Sequence, residues 1–152
     1  MADNTLIGIA GVHHVVSELS RRGIIALPTV KNTAAYDIVA LNKLGTKHAN
    51  IQVKASSKKV SFFPMPAPEK IRTNRHDFFV LVRWIEAEGV SRYECFLLSG
   101  RVARAEVERE LAVQKGSIAA GSRKVEFPCI SVGRNNEQLA AKWQKAWLNW
   151  QL

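Results

Sequence analysis

The chain has 152 residues, of which 47% are hydrophobic and 23% charged, a composition typical of a globular protein and not of a disordered one. This length is enough for one well-packed domain and short for two, so we expect a single domain over residues 1–152. No apolar run approaches the ~20 residues that would cross a bilayer. The N-terminus also lacks the basic charge of a secretory signal. We therefore expect a cytoplasmic protein with no membrane partner.

The charge balance favours an anionic partner. Lysine and arginine number 22 against 13 aspartates and glutamates, which gives a formal net charge of +9. An excess of this size is typical of proteins that bind nucleic acid, although a basic protein kept soluble by its charge is the alternative. The basic residues form clusters spread along the chain. The candidates for nucleic-acid contact are Arg21, Arg22, Lys58, Lys59, Arg72 and Arg75.

The two cysteines, Cys95 and Cys129, both stand in apolar segments that read as strands. Buried free thiols are the preferred interpretation, and they suit a reducing compartment. A disulfide between them is the alternative. The histidines show no zinc-type spacing with these cysteines, so a structural zinc site is not expected.

The first half of the chain predicts one helix followed by three strands. Apolar residues at helical spacing predict the helix over residues 5–22, capped by Asn4 or Thr5 and ended by Gly23. Branched and apolar runs predict strands over residues 24–30, 35–41 and 49–55.

The second half predicts two further strands, a helix, a short strand and a last helix. Alternating prolines argue against a helix or a central strand within residues 57–75. The later elements are predicted at residues 78–85, 93–98, 101–115, 124–132 and 135–150. The last helix carries Leu139, Trp143, Trp147 and Trp150 on one face. We expect this face to pack on the sheet or on a second subunit, which makes a homodimer plausible, with base stacking as the alternative.

Asp37 is the residue of greatest interest, because it is a carboxylate inside an apolar strand. In a regular strand it shares a face with Val39 and Leu41, where an acid is costly unless a cation or hydrogen bonds compensate it. The next strand carries Gln52 and Lys54 on one face. A strand-end hydrogen-bonding role is the alternative for Asp37, and a solvated polar face is the alternative for the other two.

The order helix, glycine, strand with Tyr36-Asp37-Ile38-Val39, turn, and strand with Ile51-Gln52-Val53-Lys54 resembles the core of the PD-(D/E)XK nuclease superfamily. It looks closest to the Holliday-junction resolvase-like proteins and the group I intron-type endonucleases. This resemblance implies an α/β fold with a restriction-endonuclease-like core, a mixed β-sheet flanked by helices. It also implies Mg²⁺-dependent hydrolysis of DNA, with Asp37 as the motif aspartate and Gln52 and Lys54 as the (D/E)XK pair.

The resemblance further implies a Mg²⁺ or Mn²⁺ ion held by the Asp37 carboxylate, the Gln52 carboxamide and the Val53 carbonyl. Mg²⁺ takes hard oxygen ligands and keeps several waters. The ion would polarise the phosphate and help to generate hydroxide. Lys54 would hold the attacking water or stabilise charge on the phosphoryl oxygens.

The chain departs from this pattern in its first helix. Related enzymes carry a glutamate where this chain has Val12. His13 could contact a metal or a phosphate in its place, and Asp77 and Glu69 are the candidates for a further acid in the site. Without such a group, the expectation becomes a catalytically degenerate nuclease fold that binds nucleic acid or a protein partner. A structural protein with no nucleic-acid role is disfavoured by the charge excess.

Overall fold

The computed structural model describes residues 3–30, 36–57, 62–133 and 136–152. In chain order the elements are helix α1 (Asn4–Arg21), strands β1 (Ile25–Pro28), β2 (Ile38–Leu41), β3 (His48–Ser56) and β4 (Phe62–Pro64), a 3₁₀ turn (Pro68–Lys70), strands β5 (Asp77–Ala87) and β6 (Val90–Ser99), helix α2 (Gly100–Ala119), strand β7 (Cys129–Ser131) and helix α3 (Glu137–Asn149). Within these ranges, no helix combines the length and apolar character that crossing a membrane requires.

Five strands form the main sheet, in the order β1-β2-β3-β5-β6. Strands β3 and β5 are parallel, while the other neighbouring pairs are antiparallel. Strands β4 and β7 form a separate antiparallel pair. The predicted α/β fold, with a mixed sheet flanked by helices, is confirmed.

Helix α1 packs closely on one face of the sheet through Gly11. A Cβ atom at this position would lie 2.5 Å from the Cβ of Ala55 on β3. Glycine therefore lets the helix backbone approach the strand. Further along the helix, Val15 and Leu19 are fully buried against Ile51. These contacts hold α1 against β3.

A second apolar cluster joins α2 to β5 and β6, with Phe79, Phe96 and Val107 at its centre. Helix α3 is in contact with β6, an edge strand of the sheet. Trp143 belongs to the α2 cluster, whereas Trp147 belongs to the α1 cluster. The predicted packing of the tryptophan face on the protein's own core is therefore confirmed.

Both thiols are free and buried, as predicted. Burial raises the pKa of Cys95 to about 12. Burial also raises the pKa of Cys129 above its usual value. Both groups are therefore neutral packing residues at physiological pH.

Several element boundaries, the cap of α1 and the content of the proline-rich segment differ from the prediction. Strand β2 begins at Ile38, so Asp37 precedes the strand instead of lying inside it. Asp3, not Asn4 or Thr5, caps α1, with its side chain accepting the Thr5 N–H at 3.0 Å. The proline-rich segment contains β4 and a 3₁₀ turn, because Pro68 occupies the first position of the turn, where a missing N–H costs nothing.

Candidate functional site

Asp37 is fastened to both neighbouring strands by its backbone. Its N–H donates to the Ile51 carbonyl at 2.9 Å, and its carbonyl accepts the Thr29 N–H at 2.9 Å. Its carboxylate Oδ2 accepts the Val53 N–H at 2.7 Å. The side chain thus takes a ladder N–H that a strand carbonyl would otherwise receive, which is why β2 starts after Asp37, at Ile38.

The second oxygen of the Asp37 carboxylate is available to a ligand. No residue in the described ranges donates a hydrogen bond to Oδ1. Asp37 lines a cleft of about 560 Å³ between the first half of α1 and the end of β1. Val12, His13 and Val53 line the same cleft, and Asp37 is the one carboxylate among its described lining residues. Val12 therefore contributes an apolar side chain to the cleft that Asp37 lines.

Gln52 lines a different and much smaller cavity, of about 20 Å³, together with Arg72 and Asp77. Lys54 follows two residues later on β3, so it shares the face of Gln52, and it is half-buried. Tyr36 lines both this cavity and the Asp37 cleft. The structure therefore places Asp37 and Gln52 in separate cavities that share Tyr36 as a lining residue.

Gln52 and Lys54 lie on the part of β3 that follows Ile51, and Asp37 is hydrogen-bonded to Val53 between them. Strand β2 pairs with β3 only as far as Ile51. Beyond that residue, β3 continues beside β5 alone in the described ladders. The Asp37 carboxylate occupies this step by accepting the Val53 N–H. Asp37 lies in the cleft on the α1 side of this open edge of β3, whereas Gln52 lies in the cavity with Arg72 and Asp77.

Asp77 is the centre of a hydrogen-bond network next to Gln52. The Tyr36 hydroxyl donates to Asp77 Oδ1 at 3.0 Å, and the Asn50 amide donates to the same oxygen at 3.2 Å. The Asn74 N–H donates to Oδ2 at 3.0 Å. Burial of the carboxylate opposes its ionisation, but these hydrogen bonds outweigh burial, so the pKa of Asp77 lies below its usual value. Because both oxygens are already engaged, this geometry favours an anchoring role for Asp77 over metal binding.

The same network positions a basic side chain. Arg72 Nη1 donates to the Tyr36 hydroxyl at 2.8 Å, and the guanidinium carbon lies 5.0 Å from the centre of the tyrosine ring. Arg72 is otherwise exposed. Its guanidinium is therefore held beside Gln52 while keeping further N–H groups for a ligand.

The possible metal ligands near Asp37 are few, and their number decides which kind of divalent-metal site they fit. Within the described ranges, no group of three or more histidine, cysteine, aspartate or glutamate side chains could hold a metal ion. The cleft offers Asp37 Oδ1 and the nearby imidazole of His13. Mg²⁺ in many enzymes is bound by one or two carboxylates, waters and substrate phosphates. These residues therefore fit an ion shared with a phosphate group, and they do not fit an ion held by the protein alone.

The other predicted nucleic-acid contacts differ in their exposure and in their partners. Arg21 is exposed and pairs with Glu18 at 2.8 Å. Arg22 donates to the Trp147 carbonyl at 2.5 Å and lies over the Trp147 ring at 4.5 Å, so it fastens α1 to α3. Lys58 and Lys59 lie outside the described residues.

A basic cleft of about 510 Å³ at the start of β3 and β5 was missed by the sequence reasoning. It brings Arg75, a predicted contact, together with Lys47, His48 and His76. The histidine rings stack with centroids 4.2 Å apart. The signal in the sequence is a basic residue followed by histidine, which occurs at both sites. Only the parallel pairing of β3 and β5 brings the two pairs together.

Comparison with known proteins identifies a solved structure with a similar fold. No protein-family model matches the chain, and no curated protein matches it. The solved structure of a bacterial homing endonuclease, I-Ssp6803I, is similar, with a TM-score of 0.52 at 14% sequence identity. The similarity covers 97% of this chain and 91% of that chain. Over nearly its whole length the chain therefore shares the fold of that solved structure, in agreement with the predicted mixed sheet flanked by helices.

Proposed function

We propose that this protein is a DNA endonuclease of the PD-(D/E)XK type that hydrolyses phosphodiester bonds with Asp37, Gln52 and Lys54. The observation that carries the proposal is the position of Asp37, whose carboxylate is fixed to the Val53 N–H at the open edge of β3 with one oxygen available. The fold shared with a homing endonuclease and the net charge of +9 support it.

In this proposal Asp37 would help to hold a Mg²⁺ or Mn²⁺ ion together with the DNA phosphate. When bound, the ion supplies Lewis-acid polarisation of the phosphate. Lys54 contributes an ammonium group that stabilises negative charge on the phosphoryl oxygens. The Gln52 carboxamide orients the phosphate or its water by hydrogen bonding. Arg72, held by Tyr36, neutralises a neighbouring phosphate as a preorganised cation.

A second candidate function is nucleic-acid binding by a catalytically degenerate nuclease fold. The observation that favours it is Val12, an apolar side chain that lines the cleft beside Asp37. With one carboxylate in the cleft, affinity for a divalent ion is low until DNA supplies further oxygens. The two candidates differ in whether DNA is cut once it is bound.

The test incubates supercoiled, branched and single-stranded DNA with the wild type and with Asp37→Asn, in Mg²⁺, in Mn²⁺ and in EDTA. Glu126→Gln is the matched control, because it removes one negative charge from an exposed residue away from the cleft. We expect the wild type and the control to cut in metal and not in EDTA. Salt-sensitive binding with no cutting in either metal would establish the degenerate fold instead.

A further inference from the structure

We propose that Lys47, His48, Arg75 and His76 form a second phosphate-binding site, which grips the DNA backbone away from the reacting bond. This site deepens the proposed function and rests on it for the identity of the ligand. The chemistry recognised is a phosphate group carried by a DNA strand.

The composition of this cleft points to an anion. Its described lining includes two cations and two histidines and contains no aspartate or glutamate. Lys47 and Arg75 are exposed, and neither forms an ion pair with a described residue. Phe78 and Trp150 form an apolar wall with ring centroids 5.4 Å apart. Two unpaired positive charges beside a low-dielectric wall make a favourable site for a phosphate.

The polar groups of the cleft are already oriented. Arg75 Nε donates to His76 Nε2 at 2.9 Å, and His76 Nδ1 lies 3.1 Å from the His48 carbonyl oxygen. These two contacts hold the His76 ring between the Arg75 side chain and the His48 carbonyl. The Nε atom of Arg75 is thus fixed, while its two terminal nitrogens remain for a bidentate contact with phosphate oxygens.

The site lies within reach of DNA bound at the open edge of β3. His48 precedes Gln52 by four residues on the same strand, a distance of about 13 Å at roughly 3.3 Å per residue. Successive charges on one DNA strand are about 3.4 Å apart along the helix axis, so this distance corresponds to about four nucleotides. The His76 carbonyl also accepts the Asn50 N–H at 2.7 Å, which ties the basic cleft to the same strand.

The experiment measures DNA binding in EDTA, so that its result does not depend on cutting. The double variant Lys47→Gln/Arg75→Gln is compared with Lys115→Gln/Lys124→Gln, which removes the same charge from exposed residues elsewhere. Loss of two phosphate contacts makes the negative slope of log affinity against log salt concentration shallower by about 1.8. The same loss weakens DNA binding roughly ten- to hundredfold near 50 mM salt. We expect this in the cleft variant and an unchanged slope in the control.

Equal slopes and affinities for the two double variants would overturn the second site, while leaving the cutting assay of the proposed function unaffected. A titration with inorganic phosphate, followed by NMR of the His48 and His76 rings, tests the other source of phosphate. Ring signals that respond to free phosphate, with no change in the DNA salt slope, would also overturn the DNA assignment. A reduced slope in a protein that cuts no DNA would support the second site and overturn the endonuclease.

Discussion

The Asp37 carboxylate accepts the backbone N–H of Val53 at 2.7 Å, so the candidate catalytic acid also joins two strands. Asp37→Ala leaves this N–H without its acceptor, whereas Asp37→Asn retains a side-chain oxygen. We expect the alanine variant to lose about 1–3 kcal/mol of unfolding free energy and the asparagine variant distinctly less. Denaturant unfolding at pH 7 measures both. Equal stability of wild type and Asp37→Ala would show that this hydrogen bond contributes nothing to folding.

Alanine substitutions at Gly8 and Gly11, both in α1, should change the stability of the protein in opposite directions. At Gly11 a Cβ would lie 2.5 Å from the Ala55 Cβ, so Gly11→Ala should destabilise the protein by about 1–3 kcal/mol through overpacking. At Gly8 a Cβ meets nothing within 4 Å, so Gly8→Ala should stabilise it by about 0.5–1 kcal/mol through helix propensity. Melting temperatures of both variants test the packing of α1 on β3, which would be contradicted if they shifted in the same direction.

Much of the fold follows from local sequence patterns. The stripe containing Val15 and Leu19 predicts α1, and the apolar runs predict the five strands of the main sheet. Strand boundaries that depend on a hydrogen bond between a side chain and the backbone were not predictable in this way. Asp37 reads as a strand residue, yet its carboxylate ends the ladder by taking the Val53 N–H.

The candidate site was only partly predictable, for a similar reason. Alternation along β3 places Gln52 and Lys54 on one face. The Tyr36 and Asp77 contact joins residues 41 positions apart in the chain, and no local pattern indicates it. The stacking of His48 on His76 likewise depends on two strands lying parallel.

Asp77 should make the protein sensitive to acid. Its folded-state pKa is lowered, so its ionised form contributes stability above the unfolded pKa, and this stability is lost as pH falls through the folded pKa. We expect Asp77→Asn to be less stable than wild type at pH 7 and to lose less stability on acidification below about pH 4. Urea unfolding at several pH values between 2 and 7 gives the free energy of unfolding of the wild type and of the variant, and so measures the difference between them. Parallel curves for the two proteins would contradict the network.

Val12→Glu should introduce a second carboxylate into the cleft that Asp37 lines. Two acids in one cleft bind a divalent cation more tightly, and we expect Mn²⁺ affinity to rise roughly tenfold. Because Val12 also packs against the α1 core, some stability should be lost. Calorimetric Mn²⁺ titration measures the gain. Ser17→Glu, on the exposed side of α1, adds the same charge as a control, and an equal gain there would mean that the cleft is not the binding place.

The most direct measurement is the rate at which excess protein cuts a single DNA substrate in Mn²⁺, with wild type and Asp37→Asn compared at saturating protein. The asparagine variant retains the hydrogen bond to Val53 and loses the charge, so folding is not confounded with chemistry. The endonuclease account predicts a loss of roughly a hundredfold or more in this rate, with DNA binding in EDTA retained. Cutting at the wild-type rate by Asp37→Asn would contradict it.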